Sequence, residues 1–353
     1  LAKTLRLIAN DGPDAFYKGR IADLLVKEMK RGGGLITKKD LALYQAVVRK
    51  PIHGTFRGFD VYGPPPPSSG GICLIEMLNI LENFDLKKQG RLSARTMHLM
   101  IEAMRRAYCD RARHLGDADF VKIPKHLTTK EYAKKLAKSI DLNRATPSEK
   151  LAPDISIKKE GESTTHFSII DKNGLAVSNT YTLEQSYGSR VVVRGAGFLL
   201  NNEMFDFNWN PGVTNQKGTI GTKPNRIQPG KRMLSSQTPT IVAKDGKVLL
   251  ITGSPGGRTI INTVLCVILN VMEHGMSIED AVQAPRLHHS WFPDRAYFEK
   301  AQAYRKLMTS LKKLGHRIRS RRQGDAHSIY VDPKTGAYHG ASDSRIIGKA
   351  SGY

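Results

Sequence analysis

The sequence predicts an α+β protein in which helices pack on both faces of a mainly antiparallel sheet system. Three observations carry that expectation. Apolar residues recur at helical spacing through the first third, short β-rich runs joined by hairpin-type turns follow residue 164, and one long apolar segment over residues 259–273 stands among them. At 353 residues and 39.1 kDa, the chain has room for two domains or one large layered one. Its 40% hydrophobic and 25% charged residues exclude a disordered or fibrous chain.

Taken in order, residues 5–9 read as helix, closed by the turn Asp11-Gly12-Pro13. Residues 20–31 place Ile21, Leu24, Leu25 and Met29 on one helical face before Gly32-Gly33-Gly34 stops the run. Thr37 followed three positions on by Asp40 is a helix-start signal of the capping-box kind. Residues 47–62 alternate as two short strands around His53-Gly54, and the four prolines 64–67 form a rigid extended loop into Ser68-Ser69-Gly70-Gly71. Helical spacing returns over 72–81 and 94–114. Residues 141–163 are polar and aperiodic, the composition of a linker.

Strand patterns follow over 165–170, 176–181, 191–200, 240–243 and 248–252. Lys172-Asn173-Gly174 and Lys244-Asp245-Gly246 have hairpin-turn chemistry. The apolar run 259–273 reads as a core helix, far short of the ~20 residues that span a bilayer. Helices over 278–284 and 303–314 and strands over 327–331 and 337–340 complete the pattern. The opening residues lack an initiating Met and the apolar core of a signal peptide, as expected of a chain that starts mid-fold.

The net charge of +23 makes nucleic acid the first partner to test, but its distribution argues against one. Residues 1–163 carry 30 basic and 19 acidic side chains and residues 164–353 carry 25 and 13, so no arm concentrates the excess. The densest run, from Lys312 to Arg322, has no interleaved aromatic residue for base stacking and reads as a solvated basic face. Cys73, Cys109 and Cys266 are far apart, odd in number and without a CxxC pair, so neither a zinc site nor a disulfide scaffold is expected.

Two segments carry chemistry. Thr252-Gly253-Ser254-Pro255-Gly256-Gly257-Arg258 lies between a strand and the long helix, where glycine backbone N–H groups at a helix N-terminus suit an anion or a developing oxyanion. The spacing is wrong for a Walker A loop, and no G-x-S-x-G elbow occurs. Glu162-Ser163-Thr164-Thr165-His166-Phe167-Ser168 opens the first strand after the linker, where His166 reads as an oriented strand histidine. Two further clusters, Asn201-Asn202-Glu203-Met204-Phe205-Asp206 and Leu234-Ser235-Ser236-Gln237-Thr238-Pro239, offer carboxylates and hydroxyls able to hold an amino acid's ammonium and carboxylate.

Together these clusters resemble the γ-glutamyltransferase (γ-glutamyltranspeptidase) family. The resemblance runs in order along nearly the whole chain, through Gly12-Pro13-Asp14-Ala15-Phe16-Tyr17, Gly33-Gly34-Leu35-Ile36-Thr37, Pro65-Pro66-Pro67-Ser68-Ser69-Gly70-Gly71, the four clusters above, Ala284-Pro285-Arg286-Leu287-His288-His289 and Gly340-Ala341-Ser342-Asp343. It implies an N-terminal-nucleophile (Ntn) hydrolase: a four-layer αββα sandwich, here incomplete at its N-terminus. The precursor would cut itself before Thr164, separating residues 1–163, the C-terminal part of the large-subunit region, from the small-subunit region 164–353. The resemblance implies that Thr164 attacks a γ-glutamyl amide such as glutathione and passes the acyl group to water, an amino acid or a peptide. In the same reading Thr182 supports the nucleophile, and Gly256 and Gly257 donate to the oxyanion. Glu203 and Asp206 hold the substrate ammonium, and Ser235 and Ser236 its carboxylate. No cofactor, metal, nucleic acid or membrane span is implied, the two cleaved pieces associate, and the compartment is periplasmic or extracellular.

Departures from the family pattern bear on specificity. Glu184 stands where Asn is common, adding a carboxylate near the ammonium, and Lys217 stands where several members carry an aromatic gate. The resemblance implies that the arginine pairing with the glutamyl carboxylate comes from upstream sequence, and that role is assigned to no arginine here. Two other readings are a related amidase such as a cephalosporin-acylase-like enzyme, and an unprocessed homologue acting as a binding protein.

Overall fold

The computed structural model describes residues 1–152, 165–208 and 210–352, and these fall into two compact units. Mixed helix and antiparallel sheet make the protein α+β.

One unit consists of residues 1–50 and 183–203. Its helices are α1 (Ala2–Asp11), α2 (Pro13–Tyr17), α3 (Arg20–Gly32) and α4 (Lys38–Leu43). Helix α3 ends on Gly33 in the left-handed conformation. The Thr37 capping box forms as expected, with the Asp40 N–H donating to Thr37 Oγ1 at 3.3 Å and the Thr37 N–H to the Asp40 carboxylate at 2.7 Å. Ala22, Leu25 and Leu41 form a small core with Val193 and Ala196. The strand expected over 191–200 is absent. A single antiparallel bridge joins Val192 to Leu199 because the chain doubles back through Gly195 and Gly197, both at positive φ, before a ladder can grow.

The other unit, residues 51–182 and 204–353, begins with the hairpin β1 (Ile52–Phe56) and β2 (Phe59–Gly63). It turns at Arg57-Gly58, not at His53-Gly54. His53 instead pairs with Tyr62 inside the ladder, and Gly54 lies against Ile75. Then come α5 (Gly70–Leu81), α6 (Leu86–Gln89), α7 (Ala94–His114), α8 (Lys130–Lys138) and α9 (Ser148–Leu151). After them follow β3 (Thr165–Ile170), β4 (Ala176–Tyr181), β5 (Thr240–Lys244), β6 (Lys247–Thr252), and α10 (Thr259–Ile268), which widens into a π turn over Leu269–Glu273. The rest are α11 (Ile278–Gln283), β7 (Leu287–His288), β8 (Ala296–Phe298), α12 (Arg305–Lys313), β9 (Ile318–Ser320), β10 (His327–Val331) and β11 (Tyr338–Ser342).

Six strands form an antiparallel sheet in the order β1-β2-β5-β6-β10-β11. Every residue of α5 and of α10 is buried, as expected of helices apolar on all sides, and the two pack together within a core that also takes in α7. Helix α8 escaped the periodicity reading because its only fully buried residues are Ala133 and Ala137, which give little hydrophobic signal. Strands β7 to β9 are two or three residues long, below the length at which alternation can be read.

The first half of the expected linker is anchored, while residues 153–163 lie outside the described residues. The Ala145 N–H donates to Leu314 O at 2.6 Å and the Thr146 N–H to Glu102 at 3.1 Å. Ser148 is fully buried: its hydroxyl donates to Trp291 O at 2.7 Å, and its carbonyl accepts from Trp291 Nε1 at 2.9 Å. Hydrogen bonds rather than apolar burial fix this stretch, which is why its polar composition suggested a free linker.

Candidate active site

Thr164, the expected nucleophile, lies outside the described residues; the description resumes at Thr165, the first residue of β3. Thr165 pairs with Tyr181 at the end of β4, and Thr182 is the next residue after that pair. The β3–β4 hairpin has an inverted pattern. His166, Ser168, Ser178 and Thr180 face inward, while Phe167, Ile169, Val177 and Tyr181 are exposed. The inward face is hydrogen-bonded to the six-stranded sheet: Ser168 Oγ donates to His327 O at 2.9 Å, and Ser178 Oγ to Thr252 O at 3.0 Å.

His166 occupies the centre of that face. Its Nδ1 is 2.8 Å from Thr180 Oγ1 and its Nε2 3.1 Å from Ser168 Oγ. Burial, with a smaller effect of His327, pushes its pKa down to about 3, so the ring is neutral at pH 7. The imidazole lies directly over Gly253, where a Cβ would fall 2.1 Å from its Cε1. Only glycine fits there, and the close approach brings the start of β3 onto the loop that leaves β6.

That loop runs into α10. Gly256 has φ 127°, a conformation open essentially to glycine, and Gly257 has φ 54°. Their carbonyls accept the N–H groups of Thr259 and Ile260 at 3.0 Å each, starting the helix. Among the described residues no acceptor takes the N–H of Gly256 or Gly257, so both stand at the positive end of the α10 dipole. The loop is held from behind by Asp325, whose N–H donates to Ser254 Oγ at 2.9 Å, and by Tyr108, whose hydroxyl donates to Arg258 O.

Ser235 and Ser236 lie on a segment bridged to the end of the proline loop. Ser235 pairs with Ser68 in an isolated parallel bridge, its N–H donating to Pro67 O at 3.1 Å and its carbonyl accepting from the Ser69 N–H at 2.9 Å. Arg111, near the end of α7, forks onto this junction: Nε donates to Ser69 Oγ at 2.8 Å and Nη2 to Ser236 Oγ at 3.1 Å. Burial and then the like charge of Arg258 lower the Arg111 pKa, while Asp206 is close enough to oppose them. Asp206 closes a 3₁₀ turn, Glu203–Asp206, fastened by Asn225 Nδ2 donating to Asp206 O at 2.6 Å. Arg111 thus joins Ser69 and Ser236, with Asp206 and Arg258, the residue after Gly257, near enough to act on its charge; sequence reasoning missed it because its hydroxyl partners are 42 and 125 residues away.

Glu184 and Glu203 belong to the smaller unit. Glu184 is buried at φ 74°, and the residue after it, Gln185, donates its N–H to Asn202 Oδ1 at 3.2 Å. The Glu203 N–H is fastened to Asn201 Oδ1 at 3.0 Å. These bonds brace residues 201–203 within the smaller unit.

One cluster of cation-ligating side chains occurs among the described residues: His98, Glu102 and His316. His98 Nδ1 is 2.7 Å from His316 Nε2, and Glu102 pairs with Arg105 and Arg106, so the one carboxylate of the cluster already has two cationic partners. His316 therefore departs from the solvated basic face expected of residues 312–322. Arg286 and Asp343, from the last two family-like segments, form a buried ion pair that Arg345 and Glu299 extend. Ala326 N–H donates to the same Asp343 at 2.7 Å, so this network braces the 324–327 turn behind the glycine loop.

Against known proteins, the profile of the family described as Gamma-glutamyltranspeptidase matches residues 1–353. The chain is 49% identical over 349 residues to a glutathione hydrolase proenzyme of Escherichia coli (strain K12), a match covering 98% of this chain and 60% of that protein. It is 46% identical over 352 residues to a glutathione hydrolase proenzyme of Pseudomonas aeruginosa, covering 98% of this chain and 62% of the relative. The crystal structure of cephalosporin acylase from Bacillus halodurans aligns with all of this chain and 62% of its own, at 26% identity and a TM-score of 0.84. The chain thus spans about three-fifths of the length of the relatives it matches.

Proposed function

The chain belongs to the γ-glutamyltranspeptidase family, and from that premise we propose that it is a γ-glutamyl hydrolase and transferase whose nucleophile is Thr164, freed by self-cleavage between Ser163 and Thr164. A threonine hydroxyl is inert near neutral pH. Cleavage supplies the missing base, because the new α-amine, with a pKa near ~7.7–8.0, lies within reach of its own hydroxyl. His166 is an unsuitable base, since both ring nitrogens are taken by Thr180 and Ser168. The Thr164 oxygen adds to the amide carbonyl while its proton passes to the α-amine. The oxyanion takes the free N–H groups of Gly256 and Gly257, and the amine leaves with the proton. Water or an acceptor amine then attacks the acyl-enzyme by the same route in reverse. Thr182, the residue after β4, supports the nucleophile in this assignment.

The observation that carries this reading is the fork of Arg111 onto Ser236, with Asp206 and Arg258, the residue after Gly257, near enough to act on the same guanidinium. Asp206, Glu203 and Glu184 serve the substrate ammonium in this assignment, and Ser235 and Ser236 its carboxylate. The associated expectations are a four-layer αββα arrangement, two cleaved pieces that stay together, and a compartment outside the cytoplasm. No helix among the described residues is long and apolar enough to cross a membrane.

Thr164→Ala tests the assignment: it should give one uncleaved species of 39.1 kDa, inactive on γ-glutamyl-p-nitroanilide, while the parent yields pieces of 163 and 190 residues. Normal turnover by the alanine variant would remove the nucleophile. The acylase reading is favoured by the likeness to cephalosporin acylase and has its own test in the parent enzyme. Equal hydrolysis of γ-glutamyl- and glutaryl-p-nitroanilide, which differ in the ammonium, would favour it.

A further inference from the structure

Arg111 is a guanidinium with nine-tenths of its surface buried, and no carboxylate among the described residues lies within ion-pair distance of it. A buried charge without a counter-ion is costly, so the position calls for a reason beyond packing. Its two printed bonds go to hydroxyls of the serine junction, Ser69 and Ser236. Ser69 passes its own proton on to Ser235 O at 2.7 Å, which fixes the backbone on which Ser236 stands. Ser236 Oγ, by contrast, accepts from Arg111 and donates to no acceptor among the described residues. A hydroxyl has a single proton, and an oxygen whose lone pair is held by a guanidinium presents that proton away from it.

We propose that Arg111 is a positioning residue for substrate selection: it turns the Ser236 hydroxyl proton toward the α-carboxylate of the γ-glutamyl group and sets a buried positive charge behind that hydrogen bond. This rests on the assignment of Ser235 and Ser236 to the carboxylate. Arg111 needs no contact with the substrate. Polarised by the guanidinium, the serine hydroxyl donates more strongly than a hydroxyl alone, and the ligand's negative charge offsets that of Arg111. Asp206 and Arg258, the charged groups that also act on Arg111, have opposite signs, and its hydrogen bonds go to the serine junction.

The test compares γ-glutamyl-p-nitroanilide with 4-aminobutanoyl-p-nitroanilide, which lacks only the α-carboxylate, in the processed enzyme and in Arg111→Met, Arg111→Lys, Ser236→Ala and the double variant Arg111→Met/Ser236→Ala. Arg111→Met should raise KM for the γ-glutamyl substrate by about 30-fold, the scale of losing one charge-assisted hydrogen bond, with kcat within about threefold. Its kcat/KM on the 4-aminobutanoyl substrate should stay unchanged. Arg111→Lys keeps charge without the fork and should recover part of the loss. The double variant should lose no more than the worse single one, because both remove the same donor. Equal losses on both substrates, or a loss carried by kcat, would reduce Arg111 to a structural role and overturn the proposal. So would unchanged selectivity in both arginine variants when Ser236→Ala loses it. If Ser236→Ala leaves selectivity intact, or the parent shows no preference, the carboxylate assignment itself fails and the proposal falls with it. Should Arg111→Met not process into two pieces, Arg111→Lys and the serine variants carry the comparison.

Discussion

Histidines give the clearest case at the scale of single residues. His166, His289 and His316 are all buried, and burial pushes their pKa values down to about 3, 4 and 3 from an ordinary 6.5. His166 faces His327; His316 faces His98 and Arg105; and His289 faces Arg105 but is partly supported by Asp294. Each ring is neutral in the folded protein, while the unfolded chain takes up a proton below pH 6.5. Stability from these groups is therefore complete above 6.5 and is lost as pH falls from there toward 3–4. Urea midpoints should fall between pH 7 and pH 4, and replacing His166 with Gln, which cannot charge, should shallow that slope. A midpoint independent of pH over this range would mean that the imidazoles are not buried as described.

At the scale of elements, α7 shows how a strongly polar helix becomes interior. Seventeen of its 21 residues are buried, including His98, Glu102, Arg105, Arg106, Asp110 and Arg111. Three of these charges are matched inside the core: Glu102 pairs with both Arg105 and Arg106, and Arg105 also reaches Asp294. Burial raises the Glu102 pKa, but the two arginines and the Thr146 N–H outweigh it and hold the carboxyl down to about 2. Glu102→Ala would leave two buried guanidinium groups short of their carboxylate and should cost about 3–5 kcal/mol, measured by urea unfolding. A loss under about 1 kcal/mol would show these pairs to be effectively solvated. The same element carries Arg111 in its last turn, so the ionic core that stabilises α7 also aims the residue that holds the serine junction.

For the whole molecule, the proposed cut falls between partners rather than between domains. Strand β2 precedes it and pairs with β5, which follows it, and α5 lies in one core with α10. Ser148 and Trp291 are likewise bonded across it. The pieces of 163 and 190 residues should co-elute in gel filtration without denaturant and separate only in urea or guanidinium. Separate elution in plain buffer would show that these contacts do not hold the two pieces together. The charge of +23 is spread through both pieces and is concentrated in no arm.

What the sequence determined by itself was whatever depends on local pattern. The capping box at Thr37, the buried helices α5 and α10, the hairpin β3–β4 and the glycine loop before α10 are each written in spacing or turn chemistry within a few residues. The order of short motifs was enough to identify the family. Tertiary structure decided what depends on distant partners: Arg111 meets Ser69 and Ser236, His166 needs Gly253 beneath it, and the polar stretch 145–148 is held by Glu102, Leu314 and Trp291. It also reassigned sequence signals, closing 191–200 into a glycine loop and turning Arg286 and Asp343 into a brace behind the site. The physical reason is the same in each case. Helix and turn preferences act over a few neighbouring residues, whereas buried ions and hydroxyls are stabilised by partners that only the folded chain brings within hydrogen-bond distance.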